Sequence, residues 1–292
     1  MAKIVSIMAM AHAPGVTGWL ENCPVEDQAA IKAGYVELGD AMRATKPDVI
    51  IGVANDHLLN LPLIDPPDWR VDCAAHWCGP AEFFKSWLKQ PGYEIDGRPD
   101  VANVIHDVAS NAGFKIDKGE GLLFDDNWSV PLWYLGYDVP IVPIHMNCVS
   151  PPMPAPLTCI NFGRTLRDIV QNDLPKDLRV GLIATGGLSH EPGGARYFTM
   201  DSTFDQWFLD LMEESDPDRV LKEATIERME DAGGGGTTEL LAWMVVMAAA
   251  SGAKSRKVFY VGSDEMRCGI GASIWNVDGL SLPKTPPLIE TS

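Results

Sequence analysis

The chain has 292 residues, 46% hydrophobic and 22% charged, with 23 lysines and arginines against 40 aspartates and glutamates, a net charge of −17. This length supports a sizeable core in one large domain, and the composition argues against disorder. The acidic balance argues against a nucleic-acid backbone or an anionic membrane as main partner.

Lys3 to Met10 is apolar and ends at His12-Ala13-Pro14-Gly15, which reads as a buried strand running into a turn. Val25 to Thr45 has helical spacing. Asp48 to Ala54 is a second apolar strand, ending in Asn55-Asp56-His57. Residues 60–100 hold many Pro, Gly and Trp and read as a long excursion with short helical pieces such as Pro80 to Leu88. Asp100 to Ala112 is helical. Val139 to Met146 is a third strand, with His145 near its end, and Pro151 to Pro156 reads as a rigid connector. Helix is expected over Asn161 to Asn172. Leu178 to Thr185 is a fourth strand, ending in Gly186-Gly187-Leu188-Ser189-His190. Helical stretches follow at 201–214 and 217–231. A glycine run, Gly233 to Gly236, precedes a strong helix from Thr237 to Ser251. Lys257 to Val261 and Gly269 to Val277 close the pattern as strands. Alternating strands and helices give an α/β fold: a single domain over residues 1–277, with a central largely β core flanked by helices, and an irregular tail over 278–292.

Leu240 to Ala250 is the longest apolar stretch, about eleven residues, against the roughly 20 that a spanning helix needs. The start of the chain reads as a first strand rather than a signal peptide. The six cysteines, at 23, 73, 78, 148, 159 and 268, lack CxxC spacing. Reduced thiols in a cytoplasm are the expectation.

Histidine is scarce: His12, His57, His76, His106, His145 and His190 are all there are. Three of them, His12, His57 and His190, lie just past the C-terminal ends of apolar strands, where loops of α/β folds converge on a crevice. Each alone reads more readily as a structural hydrogen-bonder than as a ligand, and it is the three in one context that bring the two readings level. Two histidines and a carboxylate form the facial set that leaves a metal open positions, and Glu239, just after the glycine run, is the best distal carboxylate. Its competing role is to favour the helix dipole, by roughly 0.3–1 kcal/mol. The glycine run lacks the Lys-Ser/Thr of a phosphate loop and the order of a dinucleotide site. Cys73-Ala74-Ala75-His76-Trp77-Cys78 has the residue types of a soft metal site, but burial of its two thiols is the expectation.

Four segments together, Ala9-Met10-Ala11-His12-Ala13-Pro14-Gly15, Ala54-Asn55-Asp56-His57, Thr185-Gly186-Gly187-Leu188-Ser189-His190 and Gly236-Thr237-Thr238-Glu239-Leu240-Leu241-Ala242-Trp243, resemble the motifs of class III extradiol ring-cleavage dioxygenases. The nearest type is that of the catalytic β subunits of protocatechuate 4,5-dioxygenases, and the resemblance covers about residues 1–277. It implies that His12, His57 and Glu239 bind a non-haem Fe(II), that His190 is the catalytic acid/base, and that O2 is co-substrate for opening a catechol-like ring next to its hydroxyls. One segment departs. Where many members carry Asp-His-Gly-x-x-Val-Pro-Leu, this chain reads Asp125-Asp126-Asn127-Trp128-Ser129-Val130-Pro131-Leu132. The histidine position falls on Asp126, or on Asn127 if the alignment slips by one, so substrate contacts are expected there, with a cationic or hydrogen-bond-donating group on the ring as one reading and a turn cap as the other. Ser273, in a stretch resembling a pocket-lining segment, is a further substrate-binding candidate, with a strand edge as its plain alternative.

The expected partner is a small aromatic diol, with no nucleic acid and no membrane. Some relatives need a small α subunit, and this chain is expected to self-associate or to pair with one. Trp69, Trp77, Phe83, Phe84 and Trp87 of the excursion are candidates for aromatic cover of the ring. Alternative functions are a zinc-dependent relative of the same fold or a metal hydrolase, and a non-catalytic ligand-binding subunit.

Overall fold

The computed structural model describes residues 1–277; the tail expected over 278–292 lies outside them. β1 (Lys3–Met10), a single turn α1 (Gly15–Gly18), the long α2 (Val25–Thr45) and β2 (Val49–Asn55) come first. The excursion then supplies β3 (Trp69–Asp72), β4 (His76–Gly79), α3 (Glu82–Leu88) and β5 (Tyr93–Asp96). Next are α4 (Pro99–Asn111), β6 (Ile116–Gly119), α5 (Asp126–Leu135), β7 (Ile141–Met146), α6 (Pro156–Asn172) and β8 (Arg179–Thr185). The chain closes with α7 (Ser202–Glu214), α8 (Pro217–Glu223), α9 (Ile226–Gly233), α10 (Leu241–Ala249), β9 (Ser255–Ser263) and β10 (Cys268–Trp275).

Eight strands form one mixed sheet in the order β6-β3-β7-β2-β8-β1-β10-β9, and β4 and β5 form a separate antiparallel pair. The four central strands, β7, β2, β8 and β1, are mutually parallel. They are buried on both sides, which explains why they read as continuous apolar runs. The period-2 alternation is nonetheless visible in what they touch. Ile7 and Ala9 of β1, Val49, Ile51 and Val53 of β2, and Val180, Leu182 and Ala184 of β8 join the core beneath α4, α6, α7 and α10. Met8, Met10, Ile50, Ala54 and Ile183 join the opposite core beneath α2 and α5.

Several expected boundaries change. The stretch 217–231 is two helices, interrupted at Ala224 and restarted by Thr225, whose side chain accepts from the Arg228 amide. α6 starts at Pro156 rather than Asn161, because proline at the first helical position loses no hydrogen bond there. The helix expected from Thr237 begins only at Leu241, since Gly234–Leu240 is a tight 3-10 segment. α5 has no counterpart in the sequence reading; Pro131 inside it masks the pattern. Of the two thiols expected to be buried together, Cys73 is buried and Cys78 is exposed, because strand alternation in β4 turns His76 and Cys78 outward and Trp77 inward.

Where α6 crosses α10, a Cβ on Gly163 would sit 2.0 Å from the Val245 carbonyl oxygen. Glycine at this position is what lets the two helices meet.

Candidate active site

β2, β8 and β1 lie side by side in parallel, so the loops after Asn55, Thr185 and Met10 leave the sheet at one edge. His57, His190 and His12 stand on those loops. The 3-10 segment brings Glu239 to the same edge. Its carboxylate lies 3.2 Å from His12 Nε2 through Oε2, 3.2 Å from His57 Nε2 through Oε1, and 3.6 Å from His190 Nε2.

The imidazoles are held from behind. Thr185 Oγ1 donates to the Asn127 carbonyl at 2.9 Å, so toward His12 Nδ1, 3.1 Å away, it can only accept. Nδ1 of His12 therefore carries the proton, and Nε2 presents a lone pair to Glu239. Asp125, fully buried, accepts from His57 Nδ1 at 3.0 Å, which leaves His57 Nε2 in the same condition. The Gly187 amide donates to Glu239 Oε2 at 2.7 Å and fixes the carboxylate. In the neutral rings two Nε2 lone pairs face a carboxylate, an arrangement that needs a cation beside it, either protons on the imidazoles or a metal ion. This donor set fits a divalent metal held by two histidines and one carboxylate.

His190 is arranged differently. Its Nδ1 donates to the Leu188 carbonyl at 2.8 Å, and its backbone amide donates to Thr237 Oγ1 at 3.2 Å. Nε2 is left facing the cavity, free to take or give a proton. Gly236 makes room for the ring: a Cβ there would meet the His190 carbonyl oxygen at 2.5 Å and the imidazole at 2.7 Å. Gly233 and Gly236 of the glycine run are thus packed against His190, whereas Gly235 has open space beside it.

Charges oppose burial throughout. Burial would lower the His57 imidazole, yet Asp125 and Asp126 hold it well above its ordinary value. Burial works the same way on His190, and Cys268 and Glu239 hold it well above. Burial would raise the Glu239 carboxyl, but His12 and His190 keep it well below the usual carboxylate range. Asp126 is likewise lowered against burial by His57, so it stays ionised.

These groups open into a cavity of about 300 Å³. Trp19, Phe84 and Trp87 form an aromatic wall, and Asp126, Arg267 and Cys268 line it near the histidines. Asp126 also lies with His12 and His57 in a group whose ligand atoms are within 4.8 Å of one another. The other excursion aromatics go elsewhere: Trp69 and Trp77 are buried in the core, and Phe83 is exposed. Two candidates do not line the cavity. Asn127 is fully buried and donates to the Asn55 carbonyl at 2.9 Å, tying the loop before His57 to α5. Ser273 pairs with Ala9 inside the sheet. It lies five residues beyond the cavity-lining Cys268, roughly 17 Å along an extended strand.

The sequence reading missed Asp125 and Arg267. Asp125 carried one signal, an aspartate at a helix N-cap, where it accepts the Asn127 amide at 2.8 Å. Arg267 sits in the turn before β10 with its guanidinium over the Tyr197 ring, 4.5 Å from the centroid. Among the described residues no carboxylate lies at ion-pair distance from it. Of the remaining histidines, His145 is fully buried and accepts from Trp128 Nε1 at 2.6 Å, a core role. His106, on α4, pairs with Asp107.

Comparison with known proteins gives one family match, to the catalytic LigB subunit of aromatic ring-opening dioxygenase, over residues 6–267. The chain is 33% identical over 121 residues to gallate dioxygenase of Pseudomonas putida, covering 41% of this chain and 35% of that one. It is 23% identical over 191 residues to 2,3-dihydroxyphenylpropionate/2,3-dihydroxicinnamic acid 1,2-dioxygenase of Photorhabdus laumondii, covering 64% of this chain and 56% of that one. The matches thus span about a third to a half of these relatives' lengths. The crystal structure of an uncharacterised protein from Escherichia coli K12 has the same fold, with a TM-score of 0.61 at 15% identity, over 93% of this chain and 100% of that one.

Proposed function

Because the chain belongs to the family of catalytic LigB subunits of aromatic ring-opening dioxygenases, we propose that it is a non-haem Fe(II) extradiol dioxygenase acting on a catechol-like ring. The observation that carries this reading is the convergence of His12 Nε2, His57 Nε2 and the Glu239 carboxylate at one sheet edge, with His190 Nε2 beside them. His12, His57 and Glu239 would hold the iron. Bound there, Fe(II) would supply Lewis acidity toward the ring hydroxyls and the redox chemistry that activates O2.

The protein's own part is positioning and proton transfer. With Glu239 engaged by the iron, the pull that holds His190 protonated would be relieved; its Nε2 would then take a proton from a substrate hydroxyl, while Nδ1 stays tied to the Leu188 carbonyl, and return it as the ring opens. Trp19, Phe84 and Trp87 face the ring and exclude water. Asp126 accepts a hydrogen bond from a donor on the ring, and Arg267 offers its guanidinium to an anionic substituent. The relatives named for gallate and dihydroxyphenylpropionate carry the names of ring-hydroxylated carboxylates, which supports a carboxylated substrate here. Self-association, or pairing with a small α-type subunit, is part of the proposal. Trp87, exposed in the cavity wall, supports a mouth completed by another chain.

The test is anaerobic purification, metal analysis, and O2 uptake after adding Fe(II) and a panel of carboxylated, amino and neutral diols. Equal consumption of O2 and diol with a ring-opened product is expected. Tight zinc with no O2 uptake on any diol would overturn the reading in favour of a zinc-dependent relative. In the same assay His190→Phe should bind iron normally and lose turnover by about 10²–10⁴-fold; loss of iron instead would remove it from the acid/base role.

A further inference from the structure

Away from this cavity, β4 and β5 present a second set of metal-ligand side chains that the proposed chemistry does not use. Direct antiparallel pairing sets His76 opposite Asp96 and Cys78 opposite Glu94. Alternation turns all four outward, while Trp77, Gly79, Tyr93 and Ile95 face inward. Side chains directly opposite one another on one face of such a pair start from Cβ atoms about 4.5–5.5 Å apart. Here one ligand atom each from His76, Cys78 and Glu94 lies within 4.8 Å of the other two, and His76 Nε2 is 3.9 Å from Glu94 Oε2. A tetrahedral zinc ion with bonds of about 2.0–2.3 Å needs ligand atoms about 3.3–3.8 Å apart. Small rotamer adjustments of exposed side chains close that gap.

We propose that His76, Cys78 and Glu94 form a zinc-class divalent metal site on the outer face of the β4–β5 pair. The donor types fit the ion: an imidazole, a thiolate and a carboxylate suit zinc, whereas magnesium and calcium take oxygen ligands. A thiolate and a carboxylate neutralise the ion, and a water completes the tetrahedron. The imidazole is already set. Asp96 Oδ1 lies 3.1 Å from His76 Nδ1. A carboxylate can only accept, so Nδ1 carries the proton and the Nε2 lone pair points toward Cys78 and Glu94. It is the same arrangement by which Asp125 sets His57.

The platform beneath is fixed. Trp77 Nε1 donates to Asp72 Oδ2 at 3.0 Å and its ring stacks on Phe124. Tyr93 is bonded to Ser129 through its hydroxyl and stacks on Tyr137. β4 leads within three residues into α3, which carries Phe84 and Trp87 of the cavity wall. A metal here would clasp the pair from which that wall departs.

Cobalt(II) is the probe, because thiolate ligation gives a near-ultraviolet charge-transfer band that the His12, His57 and Glu239 set cannot produce. Titration of the full chain should show that band together with a second bound ion per chain. Cys78→Ser should abolish the band and His76→Ala should reduce it strongly. Asp96→Asn should weaken the site by about tenfold. All three positions are exposed, and far-ultraviolet circular dichroism checks that the variants stay folded. Zinc should displace the cobalt. Absence of the band, or a band that survives Cys78→Ser, would overturn the proposal. Neither outcome bears on the cavity site, whose iron binding is read separately in the same variants.

Discussion

Asp125 serves two structures with one carboxylate. Oδ1 caps α5 through the Asn127 amide, and Oδ2 holds His57 Nδ1. The roles separate on substitution. Asp125→Asn keeps a capping oxygen, so the capping share of stability should change by only a few tenths of a kcal/mol. Its amide no longer enforces the His57 tautomer, and metal affinity should fall by about 10–100-fold in a calorimetric titration. Equal losses of stability and affinity would show that the cap is the main role. Asp205 makes a second residue-scale case. It accepts from the Ser189 amide at 2.7 Å and from the Tyr260 hydroxyl at 2.9 Å, bracing the loop that carries His190. Burial pushes its carboxyl up to about 6, against the pull of those bonds. The folded state therefore holds this proton more tightly than the unfolded chain. Its contribution to stability is fully present below about pH 4, declines as pH rises through about 6, and is level above that. Denaturant titrations of Asp205→Asn and the parent across that window should show the variant gaining relative to the parent as pH rises; parallel curves would contradict this. His12, His57, His190 and Glu239 were legible in the sequence because each stands in a motif at a strand end or beside a glycine run. Asp125 was not, because a capping aspartate looks the same whether or not a histidine waits across the fold.

Among elements, the parallel strands were the most legible, since burial on both faces leaves uninterrupted apolar runs such as Val180 to Ala184. The short strands of the excursion were hidden, because four residues are too few to show a period. The order of the glycine run excludes phosphate and dinucleotide loops but does not reveal that Gly236 packs against His190; sequence gives composition but not what the missing Cβ makes room for. The α6–α10 crossing rests on the same device. Gly163→Ala drives a methyl into the Val245 carbonyl, and overpacking of this kind costs about 1–3 kcal/mol. A lowered thermal midpoint is expected, and because α10 continues directly from the segment that bears Glu239, weaker metal binding should accompany it. A variant as stable as the parent would mean that the helices slide freely.

At the scale of the whole molecule, the proposed metal would join parts of the chain remote in sequence. His12 follows β1, His57 follows β2, and Glu239 precedes α10. An ion bound by the folded chain alone stabilises it by about 2.7 kcal/mol at one hundred times its dissociation constant. Scanning calorimetry of chelated and Fe(II)-loaded protein under anaerobic conditions should show a higher midpoint in the loaded sample. Identical midpoints would mean that the ion does not bind this set. Charge is a whole-molecule property too. With −17 overall, Arg267 is, among the described residues, the one arginine or lysine lining a cavity that also holds Asp126, Glu191 and Glu239. No helix among the described residues is long and apolar enough to cross a membrane.

The cavity is built from two sources. Its polar end hangs on loops that leave the central parallel strands, whereas much of its aromatic wall belongs to α1's flank and to α3. The two can drift independently. Exchanging Phe84 or Trp87 would reshape the proposed berth of the ring without moving an imidazole, so substrate range should be far easier to retrain by directed evolution than the choice of the proposed metal.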